Sequence, residues 1–164
     1  MSNPKSYSDG ATMELMTEFE TELLPLVLKK LASYSGPIGA SGSDFSAAVR
    51  SYFTSEPIVQ RWLAECCPTD RHGYRLATGC DVLSAAALEV EYTQTEQAKD
   101  LIARRLFVIA VDGSGYGYTL DLNDGKVFFL LGAWGGETDT PFEQAVQKEW
   151  PDLKSFVTEL ESRQ

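Results

Sequence analysis

The sequence predicts an α+β fold, in which an antiparallel-dominated sheet is flanked by helices from both ends of the chain. Three observations carry that expectation. First, Leu106 to Leu131, LFVIAVDGSGYGYTLDLNDGKVFFLL, holds three apolar runs cut by two turn signals, Asp112-Gly-Ser-Gly115 and Asn123-Asp-Gly125. Second, apolar residues recur at three- and four-residue spacing on either side of it, as amphipathic helices require. Third, 164 residues with 43% hydrophobic content suit one domain with a real core, residues 1–164, and argue against disorder.

The central stretch reads as a meander of Leu106–Val111, Tyr116–Leu122 and Lys126–Leu131. Asp-Gly between β-branched and aromatic runs signals type I′ hairpins, whose two central residues both need positive φ. In the middle strand Tyr116, Tyr118, Leu120 and Leu122 share one face, and Gly117, Thr119 and Asp121 the other. The flanking strands are apolar on both faces, so at least one side of the sheet should be covered.

In chain order, Met1 to Gly10 reads as a polar, frayed tail, and residues 11–73 as a mainly helical part. From Thr12 onward Met16, Phe19, Leu23, Leu26, Val27, Leu31 and Tyr34 mark a helix in which Pro25 should introduce a kink or a fresh start. Ser35 to Ser43, SGPIGASGS, is a loop by composition and the expected site of local mobility. Ser43 or Asp44 is placed to cap a helix burying Phe45, Ala48, Val49, Tyr52 and Phe53. Pro57 is suited to the first turn of the next, with Ile58, Val59, Trp62, Leu63 and Cys66 inward. Gly73 to Ala77 reads as a short strand. Asp81 to Tyr92 reads as a helix with Val82, Leu83, Ala86, Ala87 and Val90 on one face, and Thr93 to Arg105 as a polar connector with room for one helical turn. Arg104-Arg105 reads as a solvated lead-in to the meander. Beyond the sheet, Thr140 should cap a helix starting at Pro141 with Phe142, Ala145 and Val146 inward. Trp150-Pro151 should break it, and Asp152 should open a last helix that buries Leu153, Phe156, Val157 and Leu160.

Several chemistries fail on their own spacing rules. The Ser35–Ser43 loop lacks both the preceding strand and the Gly-Lys-Ser/Thr ending of a phosphate-binding loop. Asp121 to Gly125 is one residue short of a calcium loop, and Leu131 stands where its bidentate glutamate belongs. Gly113-Ser-Gly115-Tyr-Gly117 runs into a strand where a dinucleotide fingerprint runs into a helix. Cys66, Cys67 and His72 offer two adjacent thiols and one imidazole, too few for a structural zinc site. A thiol nucleophile would need a nearby base and an orienting group, so buried small thiols are the favoured reading and a thiol enzyme the rival one. We therefore expect no catalytic set, metal or cofactor.

Composition bounds the partner. The net charge of −10 is unsuited to nucleic-acid backbones and suits a basic protein partner. No apolar run is long enough to span a bilayer, the N-terminus lacks a basic-then-apolar signal pattern, and three cysteines with two adjacent do not form a secreted disulfide framework. The expectation is a reduced, cytoplasmic protein that is a monomer or weak homo-oligomer.

Ile109-Ala110, the Asp112–Gly115 turn, Tyr118-Thr-Leu-Asp-Leu122, Gly125-Lys-Val127-Phe-Phe129 and the closing Phe156-Val-Thr-Glu-Leu160 together resemble the SUKH superfamily (Smi/Knr-type). The resemblance covers the C-terminal half. In residues 1–73 only Leu24-Pro25 echoes the family's Leu-Pro pair. It implies an α+β fold and, among bacterial members, an immunity protein that neutralises a cognate toxin, often a nuclease or deaminase, by stoichiometric binding. A regulatory protein–protein interaction module is the alternative. Trp134, Glu137 and Asp139 are the candidate partner-binding residues, since a Gly-flanked Trp beside acids suits an interface anchor. The competing reading packs Trp134 beneath the C-terminal helices.

Overall fold

β3 (Leu106–Val111), β4 (Gly117–Asp121) and β5 (Val127–Leu130) form the expected antiparallel meander. They belong to a computed structural model that describes residues 13–164 except Arg71; the tail expected at residues 1–10 lies outside the described residues. The hairpin turns are longer than the type I′ expectation. At each, a single glycine takes the left-handed conformation, Gly115 at φ 84° and Gly125 at φ 82°. Gly115 N–H donates to the Asp112 carbonyl and Asp112 N–H to that of Tyr116, closing a three-residue loop. Asp121 N–H likewise donates to the Lys126 carbonyl around a four-residue loop. The aspartates explain the difference. Asp112 Oδ1 accepts from the N–H of Ser114 and Tyr116, and Asp121 Oδ1 from that of Asn123, so each side chain supports its own wider loop.

The meander is half of a six-stranded sheet ordered β1-β2-β3-β4-β5-β6, antiparallel throughout. β1 (Tyr74–Ala77) is the expected short strand. β2 (Cys80–Val82) and β6 (Val146–Trp150) correct the helical expectations for those segments. Asp81 pairs with Val111 in the ladder, and α5 starts later, at Ala85–Thr93, where Ser84 Oγ accepts from Ala87 N–H. The buried face of α5 is Ala85, Leu88 and Tyr92, leaving Ala86 and Val90 exposed. Pro141 is followed by one helical turn, α7 (Phe142–Ala145), before the chain joins the free edge of β5.

Helices cover both faces of the sheet. Residues 13–18 form α1, which passes through a π turn at Phe19–Leu23 into α2 (Leu24–Leu31). The fresh start expected at Pro25 is thus a widened turn, which accommodates a residue with no N–H to donate. α3 (Ala47–Ser55) and α4 (Pro57–Cys66) follow. On the first face Trp62 of α4 meets Phe107 at 6.0 Å and Phe19 at 6.4 Å. Phe156 of α8 (Leu153–Ser162) meets Tyr118 at 5.7 Å. On the second face α5, α6 (Ala98–Ala103) and Trp134 lie over Val108 and Thr119, and Phe142 packs edge-on against Phe128. Leu153, Phe156, Val157 and Leu160 are buried on α8 and Asp152 Oδ1 caps it by accepting from Ser155 N–H, both as expected.

Ser35–Ser43 is the expected loop, and its middle is hydrogen-bonded: Gly39 and Ala40 N–H donate to the Cys67 and Leu63 carbonyls, and Thr69 N–H donates to that of Pro37. Two further expectations need correction. Ser43 and Asp44 sit in a 3-10 turn, Gly42–Asp44, closed by a capping box with Ser41, while α3 begins after Ser46 and leaves Ala48 exposed. Arg105 is no solvated lead-in. Its guanidinium forks onto the buried Glu56 carboxylate at 2.8 and 2.9 Å and reaches Asn123 Oδ1 at 2.9 Å.

Candidate partner-binding site

The loop that follows β5 is shaped by two consecutive glycines in the left-handed region, Gly135 at φ 63° and Gly136 at φ 54°. A Cβ on Gly135 would run into the Asp100 carboxylate, and one on Gly136 into the Glu96 carbonyl. That closeness has a function in the fold. Gly136 N–H donates to Asp100 Oδ2 at 3.0 Å and Glu137 N–H to Glu96 Oε2 at 3.4 Å, so α6 and Glu96, two residues ahead of it, hold the loop by its backbone. Gly135 N–H also donates to the Thr140 carbonyl at 2.8 Å, and Thr138 Oγ to that of Gly135 at 2.6 Å. The loop is therefore preset before any partner arrives.

Between this loop, α6 and α7 lies a groove of about 390 Å³. Trp134 and Phe142 line it, 5.3 Å apart and edge to face. Its sides carry Asp100, Asp139 and Glu143, and one cation, Arg104. The Arg104 guanidinium lies 4.3 Å above the Phe142 ring and 3.7 Å from Glu143. Asp139 is exposed at the groove, and Glu137, also exposed, lies in the same loop outside its lining. Trp134 is only 2% exposed and packs into the core against Phe142, which corrects its reading as a surface anchor and favours the buried alternative. The sequence reading missed Glu96, Asp100, Arg104, Phe142 and Glu143. Their one local signal is the four-residue spacing of Asp100 and Arg104, which puts both on the same side of α6.

A second acidic place is a cleft of about 140 Å³ among Glu14, Glu18, Asp124 and Asp152. Burial pushes the Glu18 carboxyl above its usual range, and neighbouring Asp152 and Glu22 add to that, against the hydrogen bond it accepts from Leu153 N–H.

Cys66 and Cys67 are buried and His72 is exposed. Burial pushes both thiols up to about 12, so neither supplies the thiolate that a nucleophile needs near neutral pH. Tyr34 ties the segment down by donating to Asp70 Oδ1 or the His72 carbonyl, each at 3.0 Å. Among the described residues no group of three or more His, Cys, Asp or Glu side chains is arranged to hold a metal ion, and no helix is long and apolar enough to cross a membrane. No family model, no curated protein and no solved structure matches this chain.

Proposed function

We propose that this protein is an immunity-type inhibitor that binds a basic toxin domain, possessing for example nuclease or deaminase chemistry, and works by stoichiometric complex formation. The observation that carries this reading is the groove at α6 and α7, an aromatic-lined recess with acids on its rim and a loop held in place by backbone hydrogen bonds. A preset loop loses little freedom on association, so its contacts are realised as affinity. The net charge of −10 supports it, because a field of one sign draws in an opposite partner. The resemblance of the meander and the closing helix to SUKH proteins points the same way, as an analogy of fold.

The test is coexpression with a toxin domain encoded beside this chain. Growth should be rescued in proportion to the amount of inhibitor, and the purified pair should form a one-to-one complex. The association rate should fall as salt rises while dissociation changes less, because complementary charge acts mainly on encounter. Charge reversal in this loop, Glu137→Lys with Asp139→Lys, should slow association at least tenfold. Alanine at both Cys66 and Cys67 should leave rescue intact in any variant that stays folded. If the neighbouring domain does not bind, or if the thiol variant folds and loses an activity the parent has, the inhibitor reading fails.

A further inference from the structure

The groove already holds one guanidinium. Arg104 lies on the Phe142 ring at 4.3 Å, and its ion pair with Glu143 is long, at 3.7 Å, with both side chains well exposed. Contacts of these two kinds are worth little at the surface, where water screens the ion pair and solvates the cation. Arg104 is therefore held loosely. The acids around it outnumber it: Asp100, Asp139 and Glu143 line the same groove. Asp100 is engaged by the Gly136 N–H, whereas Asp139 accepts no hydrogen bond among the described residues. The recess thus offers a flat aromatic shelf, a surplus of carboxylate and room beyond its present occupant.

Building on the inhibitor reading, we propose that this groove receives an arginine side chain of the basic partner, which takes the place of Arg104 on Phe142 and pairs with Asp139 and Glu143. A planar guanidinium fits better than an ammonium, because it stacks on the ring and still presents its edge to two carboxylates. Arg104 is then a competitor for the shelf. Its removal should strengthen binding, the opposite of what an ordinary contact residue would do.

The experiment titrates Nα-acetyl-arginine amide, and separately Nα-acetyl-lysine amide, into the full chain while following backbone amides by NMR. The arginine probe should shift the amides of Gly135, Gly136, Asp139 and Phe142, and bind at least threefold more tightly than the lysine probe. Arg104→Ala should tighten arginine binding several-fold, with Arg104→Gln as a second variant that retains the aliphatic stem. Asp139→Asn, an exposed change without consequence for folding, should weaken it. Equal binding of the two probes, shifts scattered over the acidic surface, or unchanged or weaker binding in both Arg104 variants would overturn the proposal. A toxin complex that forms although the arginine probe does not bind here sinks this inference alone. Arginine binding without any toxin complex sinks the inhibitor reading and leaves the site.

Discussion

Arg105 sits at φ 56°, a region that non-glycine residues seldom occupy, and hydrogen bonds from both its backbone and its side chain hold it there. Its carbonyl accepts from Leu122 N–H, and its guanidinium pairs with a Glu56 that is 9% exposed. The same logic of a forced backbone applies at Gly125, where the four-residue turn needs φ 82°. A Cβ there would also sit 3.2 Å from Leu15 Cδ1, which couples the turn to the N-terminal helix. Gly125→Val should therefore cost roughly 1–3 kcal/mol, since a β-branched residue resists the left-handed region and the packing tightens as well. Urea denaturation checks this, and an unchanged midpoint would contradict the turn geometry. Tyrosines act at the same scale on the opposite side of the strand. The hydroxyls of Tyr52 and Tyr92 both donate to the Leu106 carbonyl, at 2.7 and 2.6 Å, and Val108 N–H donates to Tyr92 Oη at 3.1 Å. They fix where β3 begins.

α5 and α6 meet the sheet through a polar contact that sets a pH dependence. Glu91 is pushed above the usual carboxylate range by burial, against a long hydrogen bond of 3.4 Å from Gln97 Nε2. Gln97 also donates to the Gly132 carbonyl at 3.1 Å, so this pair anchors the start of the loop after β5. A carboxyl whose folded pKa is raised adds stability that is full below its unfolded pKa and lost as pH rises through the folded value. Glu91→Gln should thus be neutral near pH 4 and increasingly stabilising as pH climbs through and above the ordinary carboxylate range. Denaturation midpoints of both proteins from pH 4 to pH 8 check this; a difference that does not grow with pH would refute it. The elements also mark how far sequence reasoning reached. The meander, the first turn at Pro57 and the cap at Asp152 were legible because each rests on a local rule. β2 was not, since three residues are too short to establish a period. Val146 to Trp150 was missed because Phe142, Ala145 and Val146 fit helical spacing, and Gln147-Lys148-Glu149 carries no strand preference. Pairing with the open edge of β5 decided that segment. For the site, Asp139 stands out in the sequence because it follows a Gly-flanked Trp, whereas Asp100 and Glu143 do not. The groove was not legible, because Asp100 and Arg104 reach it from a segment some thirty residues earlier.

At the scale of the molecule, 24 acidic residues against 14 basic ones leave the folded surface repelling itself. The ion pairs that offset this are mostly exposed and weak, the Glu56–Arg105 pair being the best buried. Raising salt from 20 to 500 mM should then raise the Tm, since screening relieves the repulsion more than it weakens those pairs. A Tm that falls with salt, followed by calorimetry, would show that the ion pairs dominate. The sheet is built from neighbours, each strand pairing with the next in the chain. The helices do not follow that order: Leu153 N–H donates to Glu18 Oε1 at 2.8 Å across a separation of 135 residues, and α8 packs on the π turn that carries Phe19 and Leu23. During synthesis the strands can therefore assemble one by one as the chain emerges, while the first helix waits for the last. A nascent chain that stalls before Leu153 has α4 over Phe19 but lacks the α8 cover on the Phe19–Leu23 turn, which leaves apolar surface there for chaperones and proteases to meet.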